Sequence, residues 1–259
     1  MDEFLRFAHG LAGLSAAAIL PHFRRTAAVD DKAGKGQFDP VTIADRAAEQ
    51  AIRSEVSKVC PDHGFVGEEF GDQGADADYR WIVDPIDGTR SFITGIPIWG
   101  TLIGLERGED VLLGMMDQPF TRERFWGAAG KAAYRGPDGE HALAVRACPE
   151  LAKATLATTS PDMFATGADL AAFEALSKTV RMRRFGGDCY LYCMLASGQI
   201  DLVVESGLKP YDIAPLIPII EGAGGIVSGW DGGTARKGGQ VIAAGDRRAY
   251  EAALKVLNG

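Results

Sequence analysis

The chain predicts an α/β protein in two lobes. An α+β N-terminal lobe with an antiparallel sheet is expected over residues 1–144, and an α/β C-terminal lobe over residues 145–259. Three observations carry this reading. Two helical-period segments precede a run of strand patterns in the first half, and strand and helix patterns alternate strictly from about Val145 onward. No internal repeat or low-complexity linker separates the halves, so they are expected to pack rigidly. Strands grouped apart from helices read as α+β, whereas alternation implies a sheet covered by helices.

The first helix is expected from about Asp2 to Phe23, because Phe4, Ala8, Leu11, Ser15 and Ala18 fall on one helical face. The acids Asp2 and Glu3 ahead of the apolar stretch Leu11 to Leu20 argue against a secretory signal. A polar, glycine-containing loop follows from Asp30 to Gln37. A second helix starts after Thr42 and carries Ala44, Ala47, Ala48, Ala51, Ile52 and Val56 on its apolar side. Strands are expected at Gly64 to Val66, Tyr79 to Val83, Thr101 to Leu105 and Val111 to Asp117. Gly127-Ala128-Ala129-Gly130 reads as a hairpin between Arg124-Phe125-Trp126 and Ala132-Ala133-Tyr134. The second half reads as strand Thr155 to Thr158, helix Asp169 to Thr179, strand Arg181 to Phe185 and helix Cys189 to Ser197. Strand Ile200 to Val204, helix Ile213 to Glu221, strand Gln240 to Ala244 and helix Arg247 to Leu257 complete it.

With 46% hydrophobic and 24% charged residues among 259, the chain has the composition of an ordinary globular protein. A net charge of −8 argues against nucleic acid as the main partner, since phosphate backbones are bound by Lys/Arg surfaces. No run approaches the ~20 apolar residues of a membrane span. The four cysteines, Cys60, Cys148, Cys189 and Cys193, have neither C-x-x-C spacing nor accompanying histidines, so they read as free thiols in a reducing cytoplasm. The four histidines, His9, His22, His63 and His141, are scattered and none is assigned to catalysis.

The most informative stretch is Trp81-Ile82-Val83-Asp84-Pro85-Ile86-Asp87-Gly88-Thr89, an apolar strand that runs into two acids. Pro85 fixes one φ and Gly88 permits a tight bend, so Asp84 and Asp87 can converge instead of alternating. Upstream lie Glu68 and Glu69 after Gly67, and Asp212 precedes the apolar run Ile213 to Ile220. Taken singly, Asp84 and Asp87 could be turn residues, Glu68 and Glu69 a solvated face, and Asp212 a helix N-cap. Taken together, five acids after strand ends read better as a carboxylate cage for Mg²⁺, with Mn²⁺ also suited.

These motifs resemble the Mg²⁺-dependent, lithium-sensitive inositol monophosphatase-like phosphatases. The resemblance rests on Asp39-Pro40-Val41-Thr42-Ile43-Ala44-Asp45, Gly67-Glu68-Glu69, Asp84 to Thr89, Tyr211-Asp212 and Gly222-Ala223-Gly224-Gly225, and it covers nearly the whole chain. One departure is Tyr211, where the family usually has Trp. The resemblance implies a layered αβαβα fold, two or three Mg²⁺ per active site and a homodimer. It places one ion on Glu68, Asp84 and the Ile86 carbonyl, and a second on Asp84, Asp87 and Asp212. Gly88 and Thr89 become the phosphate cradle. Asp39 and Thr89 become a pair that activates the attacking water, with Glu69 beside them in the catalytic group. Asp39-Pro40 also reads as a turn initiator, and Thr42 and Asp45 read largely as helix-cap residues.

Within the family, Arg90 to Thr101 and Gly186-Gly187-Asp188-Cys189-Tyr190 look most like the histidinol-phosphate phosphatases. By the same resemblance Ser160, Gly187, Asp188 and Glu205 form the leaving-group pocket. Two anions, Asp188 and Glu205, favour a cationic leaving group such as histidinol over a neutral polyol. Asp188 could instead cap the helix that begins at Cys189, Glu205 could end a strand, and Arg183 or Arg184 could neutralise either acid. The implied substrate is a small phosphate monoester, L-histidinol phosphate first and inositol 1-phosphate second. Two other classes stay open: an interaction protein that keeps the fold, and a Ca²⁺-stabilised binding protein, which would not need the Gly88-Thr89 cradle.

Overall fold

The computed structural model describes residues 1–25, 29–31, 40–164 and 167–259, so Asp39 and most of the loop expected after the first helix lie outside the described residues. Five layers stack as α, β, α, β, α. The outer layer is α1 (Asp2–Ile19) with α2 (Ile43–Val59), which lie against each other. Their apolar faces, Ala8, Leu11 and Ala12 with Ile52 and Val56, bury against Phe65, Trp81, Val83, Ile103 and Leu113 of the first sheet. Thr42 starts α2 as expected: its Oγ1 accepts from Ala44 N, and Asp45 Oδ2 accepts from Thr42 N. The first helix stops four residues short of Phe23, whose ring leaves the helical path to pack on Phe92 and Trp99. Trp99 is fully buried there, a core residue and not a surface one.

The first sheet has the order β10-β9-β8-β7-β6-β5-β3-β4. Its strands are β3 (Gly64–Gly67), β4 (Gly71–Gln73), β5 (Tyr79–Asp87), β6 (Gly100–Arg107), β7 (Asp110–Gln118), β8 (Glu123–Ala128), β9 (Lys131–Gly136) and β10 (Gly139–Ala142). A separate hairpin pairs β1 (Val29–Asp31) with β2 (Pro40–Thr42), and the short helix α3 (Thr89–Ile93) follows β5. The sheet departs from the expected antiparallel pattern at one place, because β3 runs parallel to β5. That exception puts the residue after Gly67 beside the end of β5.

The second sheet, in the order β12-β11-β13-β15-β14, comprises β11 (Thr155–Thr158), β12 (Met182–Phe185), β13 (Leu202–Leu208), β14 (Ile226–Gly229) and β15 (Gly239–Ala244). β12, β11 and β13 are parallel, and β15 runs antiparallel to both of its neighbours, β13 and β14. On one face α4 (Gly167–Ser177) and α8 (Arg247–Leu257) bury Phe173, Leu176, Ala253 and Leu257 against Leu156, Leu202, Val204 and Ile242. Between the sheets lie α5 (Cys189–Ala196), α6 (Pro210–Ile213) and α7 (Ile217–Gly222). There Leu191, Leu195, Leu216 and Ile220 meet Leu102, Met116 and Phe125 from one sheet and Val203, Val241 and Ala243 from the other.

The segment expected as one helix from Ile213 to Glu221 is broken into α6, a 3₁₀ turn over Ala214–Leu216, and α7. Pro215 and Pro218 lack the N–H that an unbroken helix needs. This kinked segment lies unusually close to the first sheet. Gly104, Gly114 and Gly127 are register partners across β6, β7 and β8. A methyl on Gly114 would fall inside the Pro215 carbonyl, and one on Gly127 inside that of Pro218. Only residues without a side chain permit that approach.

Asp201, 1% exposed, ties the connection between the sheets to the second one. Its two oxygens accept from Arg146 Nε and Nη2, both at 2.7 Å, and Oδ2 also accepts from Thr155 N at 2.7 Å. Burial pushes its acidity down, but these hydrogen bonds outweigh burial and hold its pKa below the ordinary carboxylate value. A depressed folded-state pKa contributes stability above the unfolded value, about 3.9, that is lost as pH falls through the folded value. Asp201→Asn is therefore expected to cost about 2 kcal/mol at pH 7 in urea melts. The gap to the wild type should close below about pH 4; a gap that persists in acid would contradict this account.

Among the described residues, no helix is long and apolar enough to cross a membrane.

Candidate active site

The end of β5 is shaped by a break in its register. Asp84 pairs with Leu102 of β6 but Asp87 pairs with Gly100, so three steps on β5 oppose two on β6. A bulge of this kind re-aims the side chains that follow it. Here it turns Asp87 to the same side as Asp84, which strict alternation would forbid. Pro85 suits the bulge because it has no N–H to leave unpaired, and its carbonyl accepts from Thr101 Oγ1 at 2.8 Å. Asp84 Oδ1 accepts from Ile86 N at 2.9 Å, closing the turn. Gly88 then takes φ 86° and leads into α3.

Asp212 arrives from the other half of the chain. It sits in the first turn of α6 after Lys209 and Pro210, and its Oδ2 accepts from Lys209 N at 2.7 Å. It is not the N-cap residue itself. Ligand atoms of Asp84, Asp87 and Asp212 lie within 4.8 Å of one another. Glu68 joins them through the parallel pairing: Glu68 N donates to Val83 O at 3.3 Å, which sets its side chain beside Asp84.

These residues line a cavity of about 150 Å³ with Ile86, Gly88, Thr89, Thr159, Asp188, Cys189, Tyr192 and Glu205 among its walls. Six of the lining residues are acids, namely Glu68, Asp84, Asp87, Asp188, Glu205 and Asp212; among the described residues none is a lysine, arginine or histidine. Burial is the first cause of the electrostatics that follow. It pushes Asp84 well above the usual carboxylate range, with Glu68, Asp87 and Asp212 adding repulsion. Asp87 is also pushed well up, by burial and then by Asp188 and Asp212. Asp212 is pushed up to about 7, mainly by burial. Acids so crowded take up protons unless a cation stands among them. Carboxylate and carbonyl oxygens are the donors that a hard divalent ion prefers, so the residues present fit Mg²⁺.

The second-half wall is built around Asp188. Gly186, Gly187 and Asp188 all take positive φ, and Asp188 lies at φ 46°, ψ −136°, a region L side chains rarely adopt. This folds its carboxylate onto β5's turn, where Ser91 Oγ donates to Asp188 Oδ2 at 3.1 Å. A methyl on Gly88 would come within 2.9 Å of the same oxygen. Asp188 does not cap α5 with its side chain; Asp87 Oδ2 does so instead, accepting from Cys189 N at 2.5 Å. Burial pushes Asp188 up to about 6, against the Ser91 hydrogen bond and the nearby Arg90. Glu205 lies inside β13 and is 2% exposed. Its oxygens accept from Thr159 N at 2.8 Å and Tyr192 OH at 2.9 Å, and burial still pushes it up to about 7. Arg183 and Arg184 neutralise neither acid, since they donate to Ser177 Oγ and the Phe185 carbonyl.

Three expected residues do not line the cavity. Ser160 accepts from Asp162 N and caps a 3₁₀ turn, and its neighbour Thr159 faces the cavity in its place. Gly187 shapes the backbone behind Asp188, and Glu69 lies beyond the wall with its N–H donated to Glu49 Oε2. Thr89 Oγ1 donates to the Ile86 carbonyl at 3.1 Å. One residue escaped the sequence reading. Tyr192 follows Cys189 by one helical turn and so shares its cavity-facing side, a spacing that was open to view. Asp45 caps α2 as expected; its Oδ1 is buried without a hydrogen-bond partner among the described residues, and burial raises it to about 6 with Glu68 adding repulsion.

A sequence model of the inositol monophosphatase family matches residues 1–258. The chain belongs to that family. It is 41% identical to the bifunctional phosphatase IMPL2, chloroplastic, of Arabidopsis thaliana, across 99% of this chain and 75% of that protein. It is 35% identical to a histidinol-phosphatase of Streptomyces coelicolor across 98% and 96% of the two chains. An inositol monophosphatase from Zymomonas mobilis has the same fold at a TM-score of 0.89, with 41% identity over 100% of this chain and 98% of its own. As an inositol monophosphatase family member the protein is a phosphatase, and the acid cluster at the end of β5 suits the metal dependence of the family.

Proposed function

We propose that the protein hydrolyses L-histidinol phosphate to L-histidinol and phosphate, a step of histidine biosynthesis. The observation that carries this reading is the pair of buried acids, Asp188 and Glu205, on the second-half wall of a cavity that has no basic side chain among its described lining residues. A leaving group with an ammonium would pair with Asp188, whereas a neutral polyol would leave buried carboxylate unpaired. Histidinol-phosphatase is also the name of a relative that aligns over nearly the whole chain. The 41% identity to an inositol monophosphatase favours inositol 1-phosphate as the second reading.

Glu68, Asp84, the Ile86 carbonyl, Asp87 and Asp212 would hold the divalent ions, two or three Mg²⁺, which supply Lewis-acid polarisation of the phosphoryl oxygens and of the attacking water. The backbone N–H groups of Gly88 and Thr89 bind phosphate oxygens. Because the Thr89 hydroxyl proton is directed at Ile86 O, its oxygen is free to accept from the attacking water and to orient it. Asp39, which lies outside the described residues, would pair with Thr89 to take the proton of that water. A water O–P bond forms as the bond to the leaving oxygen breaks, and solvent returns the proton to the alkoxide. Asp188 holds the leaving-group ammonium while Tyr192 and Thr159 fix Glu205 behind it.

The test is phosphate release with Mg²⁺ from L-histidinol phosphate, inositol 1-phosphate and glycerol 2-phosphate, with EDTA as the control. The expected preference for L-histidinol phosphate is about 100-fold in kcat/KM. Equal rates on all three would make this a general phosphatase, and release that ignores EDTA would exclude the metal chemistry.

A further inference from the structure

We propose that Glu49 is a positioning residue for Glu68, an inference that rests on the reading of Glu68 as a metal ligand. Glu49 is completely buried on α2, one turn beyond Asp45. Its hydrogen bonding goes to the turn that follows β3 and to Arg53 of its own helix. Oε2 accepts from Glu69 N at 2.7 Å, and Oε1 accepts from Phe70 N at 3.2 Å. Arg53 Nη2 donates to Oε1 at 2.8 Å and also to Gly71 O at 2.7 Å, while its guanidinium lies 4.2 Å over the Phe65 ring. Gly67 completes the grip, since a methyl there would meet Glu49 Cδ at 2.5 Å. The turn is thus held at Gly67, Glu69, Phe70 and Gly71, on both sides of Glu68.

Backbone pairing also ties the turn, through Glu68 N to Val83 O and Gly67 opposite Gly71, and Glu49 adds a buried side-chain grip from the helix layer. Phe70 is half exposed, and all three residues of β4 are exposed, so apolar packing does not locate the turn. A buried carboxylate is costly unless it is paired, and one that gives its hydrogen bonds to an exposed turn fixes geometry more than it adds stability. Outer-shell partners of this kind typically contribute a factor of about 10–100 to metal affinity. Glu49→Gln keeps the shape of the side chain but sets an NH₂ group against backbone N–H donors, which releases the turn.

Mg²⁺ affinity by titration calorimetry and melting temperature in EDTA, on the wild type and Glu49→Gln, test the proposal. The expected result is a variant that melts near the wild type without metal and binds Mg²⁺ roughly tenfold or more weakly. Glu49→Asp should recover part of the affinity. A folded Glu49→Gln that binds Mg²⁺ as the wild type does would overturn the proposal. If Glu49→Gln does not fold, Arg53→Met removes the second strut, and weakened binding supports the proposal while unchanged binding overturns it. Wild-type protein that binds no Mg²⁺ would overturn both the metal reading and this one, so the two failures are told apart.

Discussion

Asp84→Asn is expected to yield a folded protein that releases phosphate on the order of a thousandfold more slowly than the wild type. Asp84 is 2% exposed, lies within 4.8 Å of Asp87 and Asp212, and is repelled by Glu68 as well as by both of them. The same substitution removes a buried acid that, without metal, either repels its neighbours or must take up a proton. The metal-free variant should therefore melt higher than the metal-free wild type, by a shift on the order of 3 °C. Rising stability with vanishing activity would separate a metal site from a structural turn. Phosphate release within tenfold of the wild type would remove Asp84 from the site and leave the interaction-protein reading standing.

Asp188→Ala should lower kcat/KM on L-histidinol phosphate about 100-fold while changing inositol 1-phosphate by less than about threefold. The asymmetry follows from what each leaving group offers. An ammonium loses one of the two acids of the second-half wall, and the other, Glu205, is already engaged by Thr159 N and Tyr192 OH. A polyol loses a partner that never matched it. Equal losses on both substrates would mean that Asp188 supports the turn of β5 through Ser91 and does not read the leaving group.

Much of this architecture was visible in the chain wherever one kind of periodicity ran without interruption. Strand β11 and helix α8 begin and end at the residues that their patterns indicate, and Asp246 caps α8 by accepting from Arg248 N. The segment after Asp212 was misread as a single helix because its apolar residues are continuous, and the two prolines that break it carried less weight than that run. The short strands β4, β10 and β14 are fixed by partners already in the sheet, and their own residues say little. The acids Glu68, Asp84, Asp87 and Asp212 could be named in order because they stand at or just past the end of a strand or open a helix. What could not be seen was contact across long separations. Asp87 caps α5 across 102 positions, and Glu49 reaches the turn at Glu69 from another layer. Neighbouring positions were also interchangeable by eye: Thr159 and Ser160 differ only in which of them turns toward the cavity, and that is decided by the path of the chain beyond β11.

The glycines at 104, 114 and 127 bear on how such an enzyme can change. They let the backbone around Pro215 and Pro218 rest directly on the first sheet, so the depth at which Asp212 stands is set by atomic radii. No adaptable side chain lies in that contact to take up slack. Substitutions around Thr159, Asp188 and Glu205 can accumulate on the opposite wall without disturbing that depth. The part that recognises the leaving group can drift toward new molecules while the part that breaks the phosphate ester keeps its dimensions, which is how a single scaffold can diversify its diet without reinventing its chemistry.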